Sequence, residues 1–67
     1  MNWQPLYQKT SGNTLLLLIE SDDHVLFARE VLQKLNLKVD EKTIRAVMLE
    51  GLGNKFYFLI IAKYIEP

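Results

Sequence analysis

The chain has 67 residues, with eight Lys plus Arg balanced by eight Asp plus Glu, one histidine and no cysteine. Disulfides are therefore excluded, a structural zinc site lacks its thiolate and imidazole ligands, and a strong phosphate-binding surface lacks its basic excess. A length of this order gives one domain, residues 1–67, that buries roughly 60% of its unfolded surface and is only marginally stable. With 49% apolar residues, association is the remaining way to stabilise so small a unit.

Residues 3–9 read as an edge strand. Alternation places Trp3 and Tyr7 on one face and Gln4 and Gln8 on the other, beside Leu6. Pro5 removes a ladder donor, which suits an edge and not a central strand. Thr10-Ser11-Gly12-Asn13 is turn chemistry, with Gly12 and Asn13 both able to take positive φ. Leu15–Ile19 follows as a buried strand, so residues 3–20 form a predicted hairpin.

Ser21-Asp22-Asp23 has the composition of a capped helix start, with carboxylates at the positive end of the dipole. The predicted helix runs to Leu35 or Asn36. Val25, Phe27, Ala28, Val31, Leu32 and Leu35 make its apolar stripe, Glu30 and Lys34 form an i,i+4 pair, and Leu26 projects from the polar face. His24 falls beside the stripe and is expected to be partly buried.

Residues 40–51 admit two readings. As a helix, Asp40 caps, Val39 staples onto Ile44, and Gly51 or Gly53 stops it. As a strand, Ile44, Ala46 and Met48 alternate with Thr43, Arg45 and Val47, and Gly51-Leu52-Gly53-Asn54 is a hairpin loop. The helix is preferred because cap, staple and stop agree. Residues 55–65 then form the last strand, in the sheet interior. Phe56 to Ala62 is apolar at every position, which demands cover on both faces.

The expected fold is α+β: a small single-layer antiparallel sheet, made of a β-hairpin plus the C-terminal strand, with one or two helices packed on one face. The preferred order is ββααβ, with ββαββ as the alternative. Helices on one face cover either Phe56, Phe58, Ile60 and Ala62 or Tyr57, Leu59, Ile61 and Ile65. The other set forms an apolar patch that monomers seldom leave bare, unless Trp3, Pro5 and the C-terminal residues fold over it.

No residue set points to a reaction. Ser21, Asp22, Asp23 and His24 include catalytic types, but adjacent positions at a helix start diverge and do not converge on a substrate. The scattered carboxylates fall at element ends, where solvated acids are ordinary. Gly51-Leu52-Gly53-Asn54-Lys55 lacks the spacing of a phosphate loop and precedes a strand where a helix is needed. An enzyme, a cofactor and a metal are not expected. The expected function is a small protein-interaction or regulatory module that forms a homodimer or docks on a larger protein. Its candidate contact residues are Tyr57, Leu59 and Ile61 on the sheet, Leu26, Arg29, Arg45 and Leu49 on the outer helix faces, and Asp22 and Asp23 at the helix start. The alternative is a nucleic-acid module using the helix pair 22–36 and 40–51, which net neutrality disfavours. No run reaches the ~18 apolar residues of a membrane span, and the first residues lack a basic leader, so a cytoplasmic protein is expected.

Overall fold

In the computed structural model, which describes residues 2–65, two hairpins flank one short helix. The strands are β1 (Trp3–Ser11), β2 (Thr14–Ser21), β3 (Arg45–Leu52) and β4 (Lys55–Lys63), and the helix α1 is Ala28–Lys34. The sheet is antiparallel throughout, in the order β1-β2-β4-β3. The two strands apolar at successive positions, β2 and β4, are thus the central pair, and the two more polar strands take the edges. The fold is α+β in the order ββαββ.

Both hairpins turn through two residues. Gly12 follows Ser11, which pairs with Thr14, and Gly53 follows Leu52, which pairs with Lys55. Each glycine has positive φ, 61° and 65°, while Asn13 and Asn54 do not. Positive φ at the first central position alone belongs to a turn of type II′, whose twist matches the flanking strands.

The preferred helix over residues 40–51 is overturned. Its cap is real: Asp40 Oδ1 accepts from the Lys42 amide at 3.1 Å. The helical conformation nevertheless lasts for one 3₁₀ turn, Glu41–Thr43, and Ile44 is already extended. A helix here would have left β4 with an unpaired edge. Pairing Arg45–Met48 with Phe58–Ile61 satisfies that edge instead. Val39 is buried and bridges Tyr64, and Ile44 packs against the same core without a helix to carry it.

The helix start is also corrected. Ser21 is the last residue of β2, buried, and pairs with Trp3 and Phe56. Its Oγ accepts from the Asp23 amide at 3.0 Å, and Asp23 Oδ1 accepts from the Val25 amide at 3.3 Å. The same groups that would cap a helix here close two successive local turns. α1 begins seven residues after Ser21, behind Phe27, without a side-chain cap. Consequently Val25 and Phe27 are exposed, and Leu26, expected on the polar face, packs on the core instead. His24 is 74% exposed in its side chain, contrary to the expected partial burial.

The end of α1 is well determined. Asn36 adopts φ 58°, its amide donates to Gln33 O, and the Leu37 amide donates to Leu32 O. These are the two bonds of a Schellman motif, and Leu37 packs against the core as that motif's apolar contact.

One core results. Leu15, Leu17 and Ile19 of β2 and Phe58, Ile60 and Ala62 of β4 face α1, which contributes Val31 and Leu32; Val39 completes the cluster. Burial on β2 alternates strictly, odd positions in and even positions half out. The helix side is therefore Leu15/Leu17/Ile19 with Phe58/Ile60/Ala62. Among the described residues, no helix lies on the other face.

Candidate functional site: the uncovered sheet face

The register builds this face row by row. The middle row runs Tyr7–Leu18–Leu59–Val47 across the four strands. On one side of it lies the row Lys9–Leu16–Ile61–Arg45. Six apolar side chains thus meet on neighbouring strands. Tyr7 is 53%, Val47 55% and Ile61 38% exposed, and Leu16, Leu18 and Leu59 are half-buried.

Tyr7 joins this face through a bulge. Pro5 pairs with Ile19 and Tyr7 with Leu18, so Leu6 is an extra residue. Beyond it every β1 side chain changes face. Trp3 and Gln8 share the helix side, and Gln4 and Tyr7 share the open side, which corrects the simple alternation expected for residues 3–9. A second irregularity lies in β3, where Leu49 and Glu50 fall between the pairs Met48–Phe58 and Gly51–Phe56 and so both stand opposite Tyr57.

The ends of the face are polar and of opposite sign. At one end Glu20 accepts from Gln4 Nε2 at 2.8 Å and from the Tyr57 hydroxyl at 3.2 Å. Burial, and then this bond to Glu20, push the Tyr57 phenol above its ordinary pKa. Lys55 pairs with Asp22, and that hydrogen bond holds the ammonium above its ordinary value. With Glu50 nearby, this end carries three carboxylates against one ammonium. The other end carries Lys9, Lys63 and Arg45, with Asp40 beside them through its backbone bond to Lys63 O. Arg45 Nη1 donates to the Lys42 and Ile44 carbonyls at 3.1 and 2.9 Å. Among the described residues, neither Lys9 nor Lys63 has an ion-pair partner for its ammonium.

The predicted contact residues divide between two sides of the sheet. Tyr57, Leu59, Ile61 and Arg45 come together on the open face, and Asp22 borders it. Leu49 lies in the β3 bulge and not on a helix. Leu26 packs on the core and Leu49 stands on β3, so the two do not share an outer helix face. Arg29 pairs with Glu41 at 3.2 Å on the helix side. Asp23 is 3.5 Å from His24 and, with Trp3 and Leu26, lines a groove beside α1. Sequence reasoning missed Tyr7, Leu16, Leu18 and Val47. Leu16 and Leu18 were legible as the even positions of an all-apolar strand; Tyr7 was hidden by the bulge and Val47 by the helix expected there.

Among the described residues, the other surfaces bring no catalytic or metal-binding groups together. A shallow depression of about 740 Å³ lies between the 3₁₀ turn and the end of β4, lined by Asp40, Glu41, Lys42, Thr43, Lys63 and Tyr64 among others. Its charges alternate in sign and its carboxylates sit at the solvent edge. Among the described residues no three His, Cys, Asp or Glu side chains converge as metal ligands, and no helix is long and apolar enough to cross a membrane.

No family model, no curated protein and no solved structure matches this chain.

Proposed function

We propose that this protein is a small non-enzymatic interaction module that docks through its uncovered sheet face, onto a second copy or onto a larger protein. One observation carries the reading. The row Tyr7–Leu18–Leu59–Val47 is apolar across all four strands, Leu16 and Ile61 extend it, and nothing in the chain's described residues lies on it. Trp3 and Pro5, which could have formed a lid, are turned to the helix side by their register with Ser21 and Ile19.

The energetics agree. A patch on the order of 400 Å² is at the size monomers seldom leave unused. Burying it is worth on the order of 10 kcal/mol before the costs of association. The polar ends supply orientation, as charges at the rim of an interface do. The regulatory character of such a module follows from its means of action, which is to occupy a surface. A cytoplasmic location is supported by the absence of cysteine, which fits a reducing compartment.

The alternative of nucleic-acid binding rested on a second helix over residues 40–51. That segment is a strand, so the groove-reading element has no counterpart in the fold.

Light scattering on the intact chain and on two neighbouring variants tests the reading. Ile61→Lys, on the open face, should give a folded monomer. Ile60→Lys, fully buried beneath α1, should unfold the chain. A wild-type chain that is monomeric and binds no protein through this face would refute the proposal.

A further inference from the structure

The free edge of β3 is a second surface, separate from the open face, and its occupancy does not depend on the docking role proposed above.

Contacts at the end of β4 fix which backbone groups point outward. The Lys63 amide donates to Thr43 Oγ1 at 2.8 Å and its carbonyl accepts from the Asp40 amide at 2.8 Å, both away from β2. The Tyr64 amide turns the other way, to Asn13 O. Alternation along β4 then points the backbone of Leu59 and Ile61 at β3 and that of Phe58 and Ile60 at β2. Through the register, Arg45 and Val47 bond to β4, while Ala46, Met48 and, past the bulge, Gly51 turn their amides and carbonyls outward. Among the described residues, none bonds to those groups. The opposite edge is blunted. The backbone of Pro5, paired with Ile19, faces outward from β1 without an amide donor, the Leu6 bulge breaks the row, and Gln8, Lys9 and Thr10 make the remainder polar. β3 has no proline, and Val47, Met48 and Leu49 are about half exposed.

Outward amides and carbonyls at strand spacing are answered by an extended backbone. Antiparallel addition continues the pattern of the sheet, and the side chains then specify the segment. A residue opposite Val47 prolongs the row Tyr7–Leu18–Leu59–Val47 and is apolar; this is a non-hydrogen-bonded pair, in which side chains come closest. Opposite Arg45 an acid is favoured, and opposite the Leu49–Glu50 bulge a base. From its N-terminus the segment is basic–x–apolar–x–acidic.

A second copy of β3 fits less well. A two-fold pair centred on Val47 sets Arg45 against the second copy's bulge, so the charges agree. Gly51 then faces the second copy's Ile44, whose amide is bonded to Glu41 O at 3.3 Å and whose carbonyl accepts from Arg45 at 2.9 Å. A pair centred on Met48 answers Gly51 with Ala46 but sets Glu50 against the second copy's Val47. Neither register satisfies backbone and charge together, whereas an unbulged foreign strand does.

We infer that β3 takes up, as a fifth strand, an extended basic–x–apolar–x–acidic segment of another protein, held by the outward backbone groups of Ala46, Met48 and Gly51.

Amide NMR of the intact, nitrogen-15-labelled chain tests this with the capped peptide Ser-Lys-Thr-Val-Thr-Glu. The amides of Ala46, Met48 and Gly51 should shift on titration, and the charge-reversed peptide Ser-Glu-Thr-Val-Thr-Lys should bind about fivefold more weakly. Met48→Pro removes an outward donor and spares the ladder to β4, so it should weaken binding about fivefold or more with the fold intact by circular dichroism. Arg45→Glu combined with Glu50→Lys should reverse the preference between the two peptides. No shift at these amides up to about 5 mM peptide, or equal binding of both peptides by both chains, overturns the inference. Shifts confined to Tyr7, Leu18, Leu59 and Ile61 overturn it by placing the peptide on the open face. Amides of Ala46 and Met48 that exchange more slowly as protein concentration rises, without peptide, overturn it by giving the edge to a second copy.

Discussion

Trp3 and Tyr7 stand on opposite faces of the sheet, although their spacing in an unbroken strand would put them on one. Leu6 is the cause: as the extra residue of a bulge, it reverses the alternation for the rest of β1. Trp3 joins the core side, and Tyr7 extends the apolar row on the open side. Tyr7→Asp is therefore expected to change the folding stability of the dissociated chain by no more than about 1 kcal/mol, the span of strand preferences at an exposed position. It should weaken self-association measurably. Urea unfolding and sedimentation of the same variant separate the two. A large loss of stability would mean that Tyr7 packs with Trp3 in the core.

The two hairpin glycines carry the turns. Each has positive φ and no atom within 4 Å of where a Cβ would stand, so an added methyl meets strain and no clash. Gly12→Ala and Gly53→Ala should each cost about 1–2 kcal/mol. Urea midpoints report this directly. Equal midpoints for wild type and either variant would place that loop in another turn type.

Asn36 occupies the left-handed position that ends α1. Asparagine tolerates it better than other side chains, and glycine better still. Asn36→Ala should destabilise by about 1 kcal/mol and Asn36→Gly should be neutral or stabilising by a few tenths. Reversal of that order in thermal unfolding would contradict the Schellman geometry.

Alkaline pH should weaken the fold at the acidic end of the open face. Lys55 has its pKa raised above 10.5, chiefly by the hydrogen bond to Asp22. Its contribution is complete below 10.5 and is lost as pH rises through the folded value. Tyr57 has its pKa raised above 10.0, by burial first and then by Glu20. The neutral phenol is the favoured form, so this contribution too is present below 10.0 and lost above the folded pKa. Urea midpoints should hold up to about pH 10 and fall as pH rises above it. Asp22→Asn should shrink the lysine part of that fall, and Tyr57→Phe should remove the tyrosine part.

Much of the fold was legible because the apolar pattern is strong where the core lies. The runs Leu15–Ile19 and Phe56–Ala62 identified the central strands, and Gly12-Asn13 identified the first hairpin. The second helix assignment and the start of the first failed for a shared reason. Ser21, Asp23 and Asp40 accept amide hydrogens in turns as readily as at helix starts, and a cap does not say how long the following helix lasts. What ended the 3₁₀ turn after Thr43 was the demand of β4 for a pairing partner, a long-range term invisible in a local window. The candidate face was half legible. Tyr57, Leu59 and Ile61 follow from alternation on β4, and Arg45 was named for a helix face yet lies on the sheet. Tyr7 and Val47 needed the bulge and the strand pairing.

The most direct test of the proposed interface is an isotope-filtered NOE experiment on a sample mixing labelled and unlabelled chains. Cross-peaks between copies should join the methyls of Leu18, Leu59 and Val47 and the ring of Tyr7, and none should involve Leu17 or Ile60 beneath α1. A sample that tumbles as a single 7.8 kDa chain and yields no such cross-peaks would contradict it.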